Sequence, residues 1–158
     1  MMMKKGFVLV CVMMMLAACG FFKKEKPPPP PEPTRVVLEF EAAGDINPNS
    51  EGRASPLVVR IYQLKSYSDF RDADFFALYE KDDQVLGKEL VSKEEIILKP
   101  NEKRTVFFDE TPDQTRTIGV LGIFRDYQQA QWKVATGVQP NKTSVIHIYV
   151  SGTGLTIR

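Results

Sequence analysis

The chain has 158 residues, of which 21 are basic and 20 acidic, giving a formal charge of +1. A single core typically takes about 100 to 200 residues, so the length accommodates one domain. The balance of charge argues against a nucleic-acid binder, which is recognised by a basic stripe.

Met1 to Lys5 carry two lysines and are followed by thirteen uncharged residues, Gly6 to Ala18 (GFVLVCVMMMLAA). These are the n-region and h-region of a secretory signal. Thirteen residues of helix reach only roughly 20 Å, short of the ~30 Å hydrocarbon core, so the segment is read as a signal and not as a permanent span. It ends in Leu16-Ala17-Ala18-Cys19-Gly20, which looks like the lipobox read by the lipoprotein signal peptidase. Small residues let the backbone enter a narrow peptidase site, and the Cys19 thiol can accept a diacylglyceryl group as a thioether. Residues 1–18 are therefore expected to be removed and Cys19 to be lipidated. One acyl chain gives marginal membrane binding, at ~0.8 kcal/mol per buried methylene, whereas two or three anchor stably. Gly20 in place of an aspartate, by resemblance to enterobacterial sorting rules, points to the periplasmic face of the outer membrane. Only two cysteines occur, Cys11 and Cys19. With Cys11 removed, the mature domain has neither a disulfide nor a catalytic thiol, and its apolar core must hold it. Loss of Lys4 and Lys5 with the signal leaves 19 basic against 20 acidic residues.

Phe21 to Pro33 reads FFKKEKPPPPPEP. Proline fixes φ near −65° and lacks a backbone donor, so this stretch favours extended polyproline II at ~3.1 Å per residue, a stiff spacer of some 40 Å. The domain proper is then 34–158, behind a lipidated linker at 19–33.

From Thr34 to Ala43 the sequence alternates, with Val36, Leu38, Phe40 and Ala42 on one face, which predicts a half-buried strand. Gly44 to Pro56 (GDINPNSEGRASP) is a run of turn formers too long for a tight hairpin. Leu57 to Leu64 is a second strand, rich in β-branched residues. Ser66 to Glu80 predicts one short helix, with Phe70, Ala73 and Ala77 at i, i+3 and i+7 and Ser66 or Ser68 as N-cap. Asp82 to Ser92 suggests a further turn of helix broken at Gly87. Glu94 to Lys99 and Lys103 to Asp109, joined by Pro100-Asn101-Glu102, read as a hairpin. Strands follow at Thr115 to Phe124, where Gly119 and Gly122 imply a bulge or a close backbone approach, at Gln131 to Val138, at Thr143 to Val150 and at Leu155 to Arg158. Short strands at regular spacing with one helical insertion predict an all-β, two-sheet sandwich, with a partly closed barrel as the alternative.

Catalytic chemistry finds little footing. His147, the only histidine, shares a face with Val145 and Tyr149 and has neither a second histidine nor a thiol with which to build a triad or a zinc site. Asp72, Asp74, Asp82 and Asp83 lack the glycine and bidentate glutamate of a calcium loop and read as solvated helix ends. Gly119 and Gly122 lie in a strand and cannot form a phosphate cradle. Phe70, Phe75, Phe76 and Tyr79 read as core anchors of the helix. The expectation is a protein that is not an enzyme, with no catalytic or metal site and no cofactor beyond the lipid on Cys19.

GRASPLVVRIYQLK at Gly52 to Lys65, Phe70, and ADFFALY at Ala73 to Tyr79, in that order behind a lipobox, resemble the type VI secretion outer-membrane lipoprotein family, TssJ (SciN/VasD-like). Leu86-Gly87, the Leu98-Lys99-Pro100 turn, and Trp132 ahead of Pro140 extend the likeness over most of the chain beyond the linker. The resemblance implies a transthyretin-like β-sandwich with a helical insertion. It also implies a long loop after the first strand that contacts the periplasmic C-terminal domain of the inner-membrane protein TssM, helping to assemble the trans-envelope complex. The matching loop is Gly44 to Ser55, and Asp45, Ile46, Asn47, Pro48, Asn49 and Arg53 are the expected contact residues. Exchange of residues 45–50 for a Gly/Ser stretch is expected to abolish binding with the thermal midpoint nearly unchanged. The competing reading, a periplasmic small-ligand or glycan-binding lipoprotein on the same sandwich, requires a concave pocket with convergent polar groups.

Overall fold

The computed structural model describes residues 28–158. The chain divides into two units, Met1–Pro30 and Pro31–Arg158. Of the first only residues 28–30 are described, exposed and without regular structure; the signal, Cys19 and most of the linker lie outside the described residues. The second unit contains, in order, β1 (Arg35–Ala42), β2 (Leu57–Leu64), α1 (Ser68–Asp72), α2 (Phe75–Leu86), a 3₁₀ turn (Gly87–Glu89), β3 (Leu90–Leu98), β4 (Lys103–Phe108), β5 (Thr117–Ile123), β6 (Lys133–Gly137), β7 (Thr143–Ser151) and β8 (Gly154–Ile157).

The strands form two four-stranded sheets, β4-β1-β7-β8 and β3-β2-β5-β6. The architecture is the sandwich and not the barrel. Val36, Leu38, Phe40 and Ala42 of β1 meet Leu57, Val59 and Ile61 of β2 and Ile146, Ile148 and Val150 of β7 in one core between the sheets. Each of the larger side chains removed from water stabilises the fold by about 1.5–3 kcal/mol. β1 is flanked on both sides, antiparallel by β4 and parallel by β7.

β2 departs from strict alternation because it is buried on both faces. Its outward Tyr62 and Leu64 pack with Leu121 of β5 beneath Phe70 of α1 and Phe75, Leu78 and Leu86 of α2. Gly119 makes room for this layer, since a Cβ there would lie 3.0 Å from the Phe70 ring; the close approach read from the sequence is therefore found here. A polar clasp fastens α2 to the sheet. Asp82, only 5% exposed, accepts from Arg60 at 2.9 Å, from Tyr62 Oη at 3.1 Å and from Lys93 Nζ at 2.8 Å. Burial opposes ionisation of Asp82, but the hydrogen bonds from Lys93 and Tyr62 and the charge of Arg60 outweigh it and hold its carboxyl below the usual carboxylate range. Burial also pushes the Tyr62 phenol well above its ordinary value. Asp82 is thus an internal ion-pair partner and not the solvated helix end expected from the sequence.

Three other expectations are corrected. The helical segment is two helices, because Ala73 is extended (φ −66°, ψ 138°) and Asp74 opens a new helix by accepting from Ala77 N–H at 2.8 Å. Lys133 Nζ reaches the carbonyls of Phe70, Arg71 and Ala73 at 2.9, 2.6 and 2.7 Å, satisfying acceptors that the end of α1 leaves free. Neither Ser66 nor Ser68 is the N-cap of α1; Glu89 instead takes the Asp69 N–H and the Ser68 hydroxyl. α2 runs on to Leu86 and stops at Gly87, whose φ of +43° is open to glycine. β3 and β4 are not a hairpin. The Pro100 turn carries the chain from one sheet to the other, so that Ile96 and Leu98 face Val106 across the same core, and Asn101 N–H docks on the Ala43 carbonyl at 3.2 Å.

The domain has two distinct poles. The linker enters at Thr34, whose hydroxyl accepts from Asn141 N–H at 2.9 Å and whose carbonyl accepts from Thr111 N–H at 2.9 Å, beside the β4–β5 and β6–β7 connections. The β1–β2, β3–β4, β5–β6 and β7–β8 connections gather at the other end of the strands. Eight residues of β1 separate the two poles, roughly 26 Å at about 3.3 Å per residue.

Candidate interaction site at the far pole

The connection from Ala43 to Pro56 is long but internally braced. Ile46 is fully buried and joins the core, and its carbonyl accepts from Ser55 N–H at 3.0 Å, closing the loop at its base. Asn47 is 4% exposed. Its φ of +46° lies in the left-handed region that asparagine tolerates better than most residues. The Asn47 side chain donates to Pro56 O at 2.8 Å and accepts from Arg125 N–H at 2.9 Å, riveting the β5–β6 connection to the loop. The Asp45 carboxylate accepts from Gly152 N–H at 3.1 Å, and Asn47 N–H donates to Gly152 O at 2.8 Å, which adds the β7–β8 turn. At the tip, Asn49 Oδ1 accepts from Glu51 and Arg53 N–H at 3.0 and 2.9 Å, and Gly52 adopts a φ of +75°. Glu51 and Arg53 pair in the open, both more than half exposed, where an ion pair contributes little.

The six residues selected from the sequence therefore separate by orientation. Asp45 and Arg53 are exposed and Pro48 and Asn49 half-buried, whereas Ile46 and Asn47 face inward and hold the loop's shape. Exchange of residues 45–50 for Gly/Ser would remove a core isoleucine and both rivets, so the expectation of an unchanged thermal midpoint does not survive the structure. Asn47→Ala alone is expected to destabilise the domain by roughly 2–3 kcal/mol, from two lost hydrogen bonds and a left-handed alanine. A urea melt that matches the unsubstituted protein would contradict this role.

Sequence reasoning missed Arg125, Asp126 and Thr153, which line an open cleft with Pro48, Asn49 and Ser50. They lie between predicted strands, but only the topology reveals that the two connections converge. It also placed Phe76 and Tyr79 in the core. Phe70 and Phe75 are indeed buried there, yet Phe76 and Tyr79 project outward, because the second helix starts at Asp74 and its buried stripe is Phe75, Leu78, Asp82 and Leu86. His147 lies on the outer face of the β4-β1-β7-β8 sheet, exposed among the described residues, with Nδ1 3.0 Å from Glu39. Among the described residues no group of three or more histidine, cysteine and acidic side chains is placed to hold a metal ion.

A family model described as type VI secretion lipoprotein (VasD, EvfM, TssJ) matches residues 34–153. The crystal structure of the T6SS lipoprotein TssJ1 from Pseudomonas aeruginosa superposes with a TM-score of 0.76 at 36% identity, over 80% of this chain and 95% of that one. Lip from Serratia marcescens, described as a membrane-bound component of the type VI secretion system, matches with a TM-score of 0.72 over 80% of this chain and 98% of its own; at 23% identity it speaks for the fold alone. A chain in a structure described as the TssM C-terminal domain (869–1107) from EAEC matches with a TM-score of 0.66 at 30% identity, over 78% of this chain and 99% of that one. No curated protein matches the sequence.

Proposed function

The chain belongs to the type VI secretion lipoprotein family, and from that membership we propose that it is a lipid-anchored assembly factor of the periplasm, moored at the outer membrane through Cys19. Its far-pole loops bind the periplasmic C-terminal domain of TssM. The observation that carries this reading is the braced β1–β2 loop, which presents Pro48, Asn49 and Arg53 at the pole opposite the linker's entry. A lipid at the N-terminus and a contact at the opposite pole let one small domain bridge membrane and partner without either obstructing the other. Because Asn47, Asp45 and Asn49 already fix the loop, little conformational entropy is lost when a partner docks. The description of one similar chain's structure by the TssM C-terminal domain supports the choice of partner.

The test spares the two inward residues. Full-length lipoprotein in detergent, carrying Pro48→Asp and Arg53→Glu together, is titrated against the purified TssM C-terminal domain by biolayer interferometry. Binding is expected to weaken by about a hundredfold or more, as for loss of central interface contacts. The thermal midpoint should fall by only about 4 °C or less, since Arg53 is exposed and Pro48 half-buried outside the core. Undiminished binding by this variant overturns the assignment of the loop.

A further inference from the structure

We infer that the partner footprint does not end at the loops but continues onto the exposed aromatic rings of α2, which the sequence suggested were core; this rests on the far-pole reading above. Phe76 is 48% and Tyr79 44% exposed. A surface phenylalanine or tyrosine is unremarkable singly, but these two belong to one interlocked group. Phe75 is buried between the near-parallel rings of Tyr79, at 5.8 Å, and Tyr127, at 4.7 Å. Phe76 meets Tyr127 edge-on at 5.0 Å, and Trp132 meets Phe75 edge-on at 5.4 Å. Beneath them α2 is fixed by Leu78, Leu86 and the Asp82 clasp.

Tyr127 supplies the continuity. It stands two residues after Arg125, hence within about 7 Å of it along the chain. Arg125 is the residue whose N–H is held by Asn47, and with Asp126 it lines the cleft beside Pro48 and Asn49. One connection, residues 124–132, therefore joins the loop site to the aromatic group without a gap. Rigid aromatic side chains next to a polar loop rim are the residue types that dominate interface energetics, since their rings bury much area and have little freedom left to lose. The partner surface suited to them is an apolar depression flanked by polar groups, on the same TssM domain that meets the loop.

Phe76→Ala and Tyr79→Ala, singly and together in full-length lipoprotein, are titrated against the TssM C-terminal domain beside the Pro48→Asp/Arg53→Glu variant. A control replaces Phe107 and Val145, which are 63% and 51% exposed on the bare outer face of the other sheet, by alanine. The double aromatic variant is expected to bind about tenfold or more weakly with its thermal midpoint and near-ultraviolet circular dichroism retained, while the control binds normally. Loss of binding by the loop variant with wild-type affinity in all three aromatic variants overturns the extension and leaves the loop reading standing. Normal binding by the loop variant overturns the loop reading and, with it, the extension. An equal loss in the Phe107/Val145 control shows unspecific apolar attraction and likewise overturns the extension.

Discussion

Asp82→Ala is expected to lower the stability of the domain by about 3 kcal/mol or more, the usual consequence of removing one partner from a buried ion pair. The cause is what remains: the Arg60 guanidinium, 15% exposed, would keep only the half-exposed Glu95 as counter-charge, and the Tyr62 hydroxyl would lose its acceptor. In a domain of this size the change corresponds to a fall of roughly 10 °C in the thermal midpoint, read by circular dichroism. Small domains have only about 5–15 kcal/mol in hand, so the loss is large. The same group sets a pH dependence. Its folded pKa lies below its unfolded one, so its contribution is complete above the unfolded carboxylate value of about 3.9 and disappears as pH falls through the lower folded value. Below about pH 4 the unsubstituted protein should therefore lose stability more steeply than Asp82→Ala. Equal slopes for the two proteins would rule out the clasp as the source.

Cys19→Ser is expected to abolish function without touching the fold. A serine oxygen cannot replace the thiol in a thioether, so no diacylglyceryl group is added. At ~0.8 kcal/mol per buried methylene, the whole acyl contribution to membrane binding should vanish with the thiol. Fractionation should find the variant missing from the outer-membrane fraction, mass spectrometry should find no fatty acid on it, and complex assembly should fail. The purified variant should nonetheless bind the TssM domain with unchanged affinity. Recovery of Cys19→Ser in the outer membrane would refute the anchor.

The parts of the fold legible in the sequence are those where one physical rule acts alone. β1 has one buried face, so alternation alone picked out its inward residues, Val36, Leu38, Phe40 and Ala42. β2 resisted that rule because Tyr62 and Leu64 lie under the helices while Val59 and Ile61 face the other way, a distinction set by tertiary packing. The break at Ala73–Asp74 was hidden because Asp74 also suits the body of an exposed helix face, and Lys133, which satisfies the carbonyls that the break leaves free, is some sixty residues away. The supposed β3–β4 hairpin shows the same limit, since a tight turn of Pro100 and Asn101 serves equally to return a strand or to cross between sheets. At the far pole, turn formers announced a long loop, but burial of Ile46 and Asn47 and the convergence of Arg125 and Gly152 on it depend on contacts 78 and more residues apart in sequence.

The placement of linker and loop at opposite ends of β1 bears on how the domain withstands tension. A pull on the N-terminus, resisted by a grip on the β5–β6 or β7–β8 connection at the far pole, acts along the axis of β1 and shears it against both neighbours. All eight rungs to β7, from Arg35 opposite Thr143 to Ala42 opposite Val150, and the six to β4 are stretched together instead of opening one by one. Rupture under force follows the unfolding rate, and a central strand loaded lengthwise must break its whole ladder at once. The domain is thus built to carry a load applied between its two poles with the chain still folded.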